Sequence, residues 1–197
     1  MSHSPPASAE GPDTIPADPR EEIVTHLPAL RAFARGLTGN ASAADDLVQD
    51  TVLKAWSKFH LFQDGTNLRA WLFTILRNSF LSSRRKAARE IADSEGSFAG
   101  RLATKPDHDG RLAMQEMAEA LNQLPVEQRE ALLLVGALGF SVEEAAETCD
   151  CAPGTIKSRA NRGRSALAQI LGLEKGEAPE TTDSPVAAVI SVAPGGL

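Results

Sequence analysis

Apolar residues recur along most of the chain at steps of three and four, the spacing that gathers side chains on one face of a helix. From Glu21 the positions Ile23, Leu27, Leu30, Phe33, Ala34 and Leu37 form such a stripe, and Gly39-Asn40 stops it. Pro28 falls inside the run; without an N–H for the preceding turn it predicts a kink or a restart. A second helix opens near Ser42 as N-cap, with Asp45 and Asp46 in the first turn, where the helix dipole favours acids. Its buried side is Leu47, Thr51, Val52, Ala55, Trp56 and Phe59, while Asp46, Gln49 and Asp50 lie on another side. The turn Gln63-Asp64-Gly65-Thr66-Asn67 can cap a third helix, which carries Leu68, Trp71, Leu72, Ile75 and Leu76 and runs to about Ala88.

Between Glu90 and Asp109 the pattern dissolves into Gly, Ser, Pro and mixed charge. Periodicity returns with Leu112, Met117, Ala120, Leu121 and Leu124, halted at Pro125; a further helix spans roughly Val126–Leu138 and ends at Gly139. Ser141 followed by Glu144 predicts a capping box for a short helix through Thr148. Cys149-Asp150-Cys151 is a tight connection, and Pro153 suits the first turn of a last helix reaching about Leu171. No strand pattern and no internal repeat is present. The expectation is an all-α chain of two small helical domains joined by a flexible linker: a disordered arm over 1–19, a first domain over 20–89, the linker over 90–110, a second domain over 111–172 and a disordered tail over 173–197.

Composition sharpens this. The aromatic share is 5% with no Tyr, which disfavours a β-sandwich or barrel, and the two Cys stand too close in sequence to staple a fold. They are expected to be small thiols, since no second ligand pair accompanies them for a metal. No signal sequence opens the chain and no apolar run is long enough to span a bilayer, so a cytosolic protein with no membrane partner is expected. The net charge is −6, but its distribution matters more than its sum. Residues 66–90 carry Arg69, Arg77, Arg84, Arg85, Lys86 and Arg89 against Glu90 alone, and residues 152–170 carry Lys157, Arg159, Arg162 and Arg164 with no acid. Two basic patches on an acidic chain point to two separate DNA contacts and to weak DNA binding by the free chain.

The capped short helix, tight turn and basic helix form a helix-turn-helix, in which the first helix braces the second and the second offers its N-terminal end to the major groove. Val142, Ala145 and Ala146 are bracing residues, Ile156 and Ala160 face inward, and Lys157, Ser158, Arg159 and Arg162 face outward as donors. On the third helix Arg69, Phe73, Arg77, Phe80 and Arg84 follow one another at four, four, three and four. Cations beside rings suit unpaired nucleic acid, although the same spacing also fits Phe73 and Phe80 as core residues. No phosphate-cradling loop, nucleophile–His pair or metal ligand set is found, so neither an enzyme nor a cofactor is predicted.

With both modules in view the chain resembles the extracytoplasmic-function sigma factors. The carriers are Asp45-Asp46-Leu47-Val48-Gln49-Asp50-Thr51 with Lys54-Ala55-Trp56, then Leu68-Arg69-Ala70-Trp71-Leu72-Phe73-Thr74-Ile75-Leu76-Arg77-Asn78. In the second half they are Leu124-Pro125, Gln128-Arg129-Glu130-Ala131, Gly139-Phe140-Ser141, Glu143-Glu144-Ala145-Ala146 and Gly154-Thr155-Ile156-Lys157-Ser158-Arg159. The first half resembles sigma region 2 and the second sigma region 4. Leu134-Val135-Gly136-Ala137 before Gly139-Phe140-Ser141 is similar to the general-stress EcfG type.

The resemblance implies that Asp46, Gln49, Asp50 and Leu53 meet the β′ clamp helices of core RNA polymerase, whose β flap is the other implied contact. It implies that Arg69, Asn78, Phe80, Arg84 and Arg85, with the 61–67 loop, engage the opened −10 element and a flipped base. Thr155, Lys157, Ser158, Arg159 and Arg162 would read the −35 duplex. The implied regulator is a small NepR-like anti-sigma factor. Two other readings differ by test: a sigma-like decoy that never touches DNA, and a stand-alone helix-turn-helix regulator that binds duplex DNA tightly without polymerase.

Overall fold

The computed structural model describes residues 19–63, 65–93 and 109–172. The arm, the tail and most of the expected linker lie outside the described residues, as does Asp64. Among the described residues seven helices follow one another: α1 Pro19–Thr38, α2 Ala41–Ser57, α3 Leu68–Asp93, α4 Asp109–Gln123, α5 Val126–Ala131, α6 Val142–Cys149 and α7 Pro153–Ile170. A single 3₁₀ turn, Phe59–Leu61, follows α2, and α5 widens into a π-helical segment over Leu132–Ala137 before Leu138 ends it. The described residues hold no strand, and no helix among them is long and apolar enough to cross a membrane.

Three local expectations are corrected. α1 is continuous across Pro28, so the helix does not restart there. Pro28 is exposed, and the carbonyl it leaves unserved belongs to exposed Val24, so water can take the missing bond. The N-cap of α2 is Asn40 rather than Ser42: the Asn40 side chain accepts from Ala43 N at 2.9 Å. Trp56 does not join the buried side of α2; it is 53% exposed, while Ala44, Leu47, Val48, Thr51 and Ala55 are buried.

The two helical units expected from the sequence are present, and they pack on each other. Phe33 of α1 meets Phe73 of α3 at 5.2 Å between centroids, and Phe73 meets Phe140, at the entrance to α6, at 4.9 Å. This aromatic run carries one core from the first unit into the second. Gly36 permits the approach of α1 to the π segment, because a Cβ there would stand 2.6 Å from Leu133 Cδ1. Leu133 and Phe140 are both buried, and periodicity is silent on what covers such positions.

Candidate nucleic-acid interface

The helix-turn-helix forms as its sequence predicts. Ser141 Oγ accepts from Glu144 N at 3.1 Å and Glu144 Oε2 accepts from Ser141 N at 2.8 Å, a complete capping box. These bonds, the backbone one first, hold the Glu144 carboxyl below its usual range. α6 ends at Asp150 in the left-handed region, φ 51°, and Cys151 N donates to Ala146 O at 3.0 Å to close the turn. Replacing Ser141 by Ala is expected to lower stability by about 1 kcal/mol. The box stabilises the fold above the ordinary carboxylate value of 4.5 and is lost as pH falls through the depressed folded value. Unfolding titrations from pH 7 into the acid range should therefore show Glu144→Gln and wild type drawing together, while the Ser141→Ala difference, which rests mainly on a hydroxyl that does not titrate, changes little.

α7 buries Ile156, Ala160, Gly163 and Leu167, one stripe at four, three and four. Gly163 brings the helix close to α5, since a Cβ there would lie 2.9 Å from Leu132 Cδ1. The opposite side exposes Lys157, Ser158 and Arg162, with Thr155 and Arg159 half-buried at its edge. Arg162 Nε donates to Ser158 O at 3.2 Å and Arg159 Nη1 lies 3.8 Å from Cys151 Sγ, so both guanidiniums are held near the helix. Cys149 is buried, and burial pushes its thiol up to about 12. Cys151 is half-buried; both are free thiols.

The α3 residues divide. Asn78, Arg84 and Arg85 are exposed and, with Leu81 and Ala88, line an open groove. Phe80 and Phe73 are core residues at 8% and 0% exposure, which corrects the reading of Phe80 as a free stacking ring; Arg84 lies over it at 5.9 Å. Arg69 faces the second unit instead of solvent: it donates to Leu138 O and stacks over the Phe140 ring at 4.3 Å. Arg77 Nε donates to Glu130 Oε2 at 3.0 Å, with Glu130 fully buried. Burial raises the Glu130 carboxyl; it works against the charge on Arg77 too, but the facing carboxylate outweighs it and raises Arg77 as well.

A hollow in front of α3 is lined by Glu22, His26, Phe62, Thr66, Asn67 and Arg69, among others. Glu22 and His26 had no separate signal in the sequence, since they belong to the polar side of an ordinary amphipathic helix. On α2, Asp46, Gln49 and Asp50 are exposed as expected, and exposed Leu53 and Trp56 extend them into one stripe. Asp50 Oδ2 accepts from Lys54 Nζ at 2.6 Å, and Lys54 also reaches Ser79 Oγ at 3.0 Å.

Comparison with known proteins agrees with this anatomy. The Sigma-70 region 2 family matches residues 23–90 and the Sigma-70, region 4 family matches residues 114–167. The ECF RNA polymerase sigma factor EcfG of Rhodopseudomonas palustris is 53% identical over 80% of this chain and 87% of its own length. SigL of Mycobacterium tuberculosis, another ECF sigma factor, is 33% identical over 72% of this chain and 82% of its own. Among solved structures, the sigma factor RpoE of Bartonella quintana in complex with the anti-sigma factor NepR superposes with a TM-score of 0.73 at 51% identity, covering 79% of this chain and 98% of that one. CnrH in complex with the cytosolic domain of CnrY gives 0.59 at 27% identity, covering 79% and 90%. The chain belongs to the extracytoplasmic-function sigma factors of RNA polymerase, in the EcfG-type subgroup, and is a transcription factor rather than an enzyme.

Proposed function

We propose that this sigma factor carries core RNA polymerase to general-stress promoters, reads their −35 element with α7 and opens their −10 element with the exposed side of α3. The observation that carries the reading is the pairing of a braced, outward cationic face on α7 with the separate α2 stripe of Asp46, Gln49, Asp50, Leu53 and Trp56. One surface suits duplex DNA and the other, acidic with exposed apolar side chains, suits a protein. In this reading exposed Asn78, Arg84 and Arg85 of α3 engage the opened strand, and the hollow beside the 61–67 loop takes an extruded base. Melting then draws on the binding energy of the captured single strand, with no nucleotide hydrolysis.

The regulator in this reading is a small anti-sigma factor of the NepR type, acting in the cytoplasm. Its support is the likeness to a sigma factor solved with NepR. Transcription by purified core enzyme on a stress promoter, with and without the chain, tests the function; absence of stimulated initiation removes it. Asp50→Ala should weaken core binding by about 1–2 kcal/mol, as loss of an interface anchor does. The Asp50–Lys54 pair is solvent-exposed and worth little to the fold, so helicity and melting temperature should hold. Equal affinity of mutant and wild type for core would show that α2 is not the polymerase surface.

A further inference from the structure

The hydrogen bonds around the hollow in front of α3 leave two of its polar side chains uncommitted. Thr66 Oγ1 donates to Gln63 O at 2.7 Å. Asn67 accepts from Ala70 N at 3.0 Å through its side-chain oxygen and donates to Glu144 Oε1 at 2.7 Å through its amide nitrogen. The Arg69 guanidinium is taken by Leu138 O and the Phe140 ring. There remain Glu22 and His26, four apart on α1 and therefore on one face of it. His26 Nε2 is buried without a hydrogen-bond partner, and Glu22 Oε1 stands 3.7 Å from it, too far for a bond. A buried nitrogen left in that condition is costly to a fold, and a ligand atom would answer it.

Another wall of the hollow is aromatic. Phe62 is held by Phe59 at 5.6 Å and by Trp71 at 5.3 Å between centroids, so its ring is fixed before anything enters. A ring placed in this way offers a planar base a stacking partner at little cost in conformational freedom.

We infer that Glu22 and His26 of α1 are the specificity residues for the extruded −10 base: Phe62 presents its ring to the base, and the α1 pair reads the Watson–Crick edge. The inference rests on the promoter-opening reading and names the side chains that do the selecting at its base site. A carboxylate only accepts hydrogen bonds, whereas an imidazole donates from the nitrogen that carries its proton, and the neighbouring carboxylate favours the tautomer protonated on Nε2. The pair therefore sets an acceptor beside a donor. Each unpaired base carries the complementary donor and acceptor side by side on its Watson–Crick edge, which the partner strand covers in duplex DNA. Recognition by this edge thus distinguishes an opened strand from a closed one. An acceptor and a donor at fixed positions also fit the edge of one base better than the others. Glu22→Gln relaxes that selection, because an amide both donates and accepts.

Holoenzyme assembled with the full chain and a fluorescent promoter fragment carrying a pre-opened −10 bubble tests the assignment. An abasic nucleotide placed at each bubble position in turn locates the extruded base as the position where affinity falls most, and the four bases are then compared there. The wild type is expected to prefer one base by about tenfold, the scale of one good pair of base-edge contacts. Glu22→Gln and His26→Ala should each shrink that preference below about threefold, and each should bind the abasic fragment as the wild type does. The abasic arm separates reading from folding, since a variant that is only misfolded or poor at binding core loses affinity on both DNAs. Losses of equal size on intact and abasic fragments overturn the inference, as does an unchanged base preference in both variants. If core with the wild-type chain binds the bubble no better than core alone, the sigma reading itself fails and the base site falls with it. If it binds well and the variants behave as wild type, the reading stands and only the α1 assignment falls.

Discussion

Replacing Arg129 by alanine is expected to lower the unfolding free energy by about 3–5 kcal/mol, since several buried acceptors would each lose their donor at about 1–3 kcal/mol apiece. The side chain is 7% exposed and sits where two helices end. Nη1 donates to Leu37 O at 2.9 Å and Asn122 Oδ1 at 2.8 Å, while Nη2 donates to Asn122 O at 2.8 Å and Leu124 O at 3.1 Å. Leu37 lies in the last turn of α1, and Asn122 and Leu124 lie at the end of α4. Carbonyls there have no N–H within their own helix and carry the negative end of its dipole. One guanidinium therefore answers two helix termini at once, and alanine would leave those acceptors buried with nothing to receive from. Arg129→Lys should recover only part of the loss, because a point charge cannot reproduce the planar fork. Urea unfolding with unchanged slope measures it, and Arg85→Ala, on the exposed side of α3, should shift stability by no more than about 0.5 kcal/mol. A loss below about 1 kcal/mol for Arg129→Ala would mean water replaces the arginine easily, and the site is looser than its geometry.

Arg129 and Glu130 show what the pattern of residues reveals and what it hides. Glu130 falls four after Val126 and three and four before Leu133 and Leu134, squarely on an apolar stripe, which is a legible sign of a charge bound for burial. Arg77, by contrast, falls on the stripe with Arg69 and Arg84 that suits unpaired nucleic acid, and nothing in its spacing marks it for pairing with Glu130. The two partners are 53 residues apart on separate units, and no local rule pairs them. The same limit explains the domain arrangement. Periodicity reports that a face is covered, so the seven described helices are visible in the sequence, but it does not report by what. Phe73 and Phe80 sit at steps that serve a stacking surface and a core equally, and only the position of α1 decides in favour of the core for Phe73. Trp56 misleads for a different reason: it lies one residue from buried Ala55, and a large apolar side chain is assigned inward unless a partner is known. The outward donors of α7 are legible because their spacing against Ile156 and Ala160 admits one orientation.

On that face, Arg159→Ala in the holoenzyme is expected to cost about 1–3 kcal/mol of promoter binding, the discrimination carried by one good base contact and a loss of roughly 5- to 150-fold in affinity. Arg159 stands in the second turn of α7, half-buried, with its guanidinium drawn to Cys151 Sγ at the turn that precedes the helix. Packing thus restricts the side chain before DNA arrives, and less conformational freedom is lost on contact. Lys157 and Arg162 are more exposed, and Arg162 is tethered to the Ser158 carbonyl, so both are better placed for phosphates than for base edges. These roles separate by salt and by sequence. Lys157→Ala should weaken binding to intact and scrambled −35 elements alike and reduce the salt slope by about one. Arg159→Ala should weaken only the intact element and leave the slope nearly unchanged, as read by anisotropy at two salt concentrations. Equal losses on both DNAs would reassign Arg159 to the phosphate backbone, and no loss on either would take the second turn of α7 out of the groove altogether.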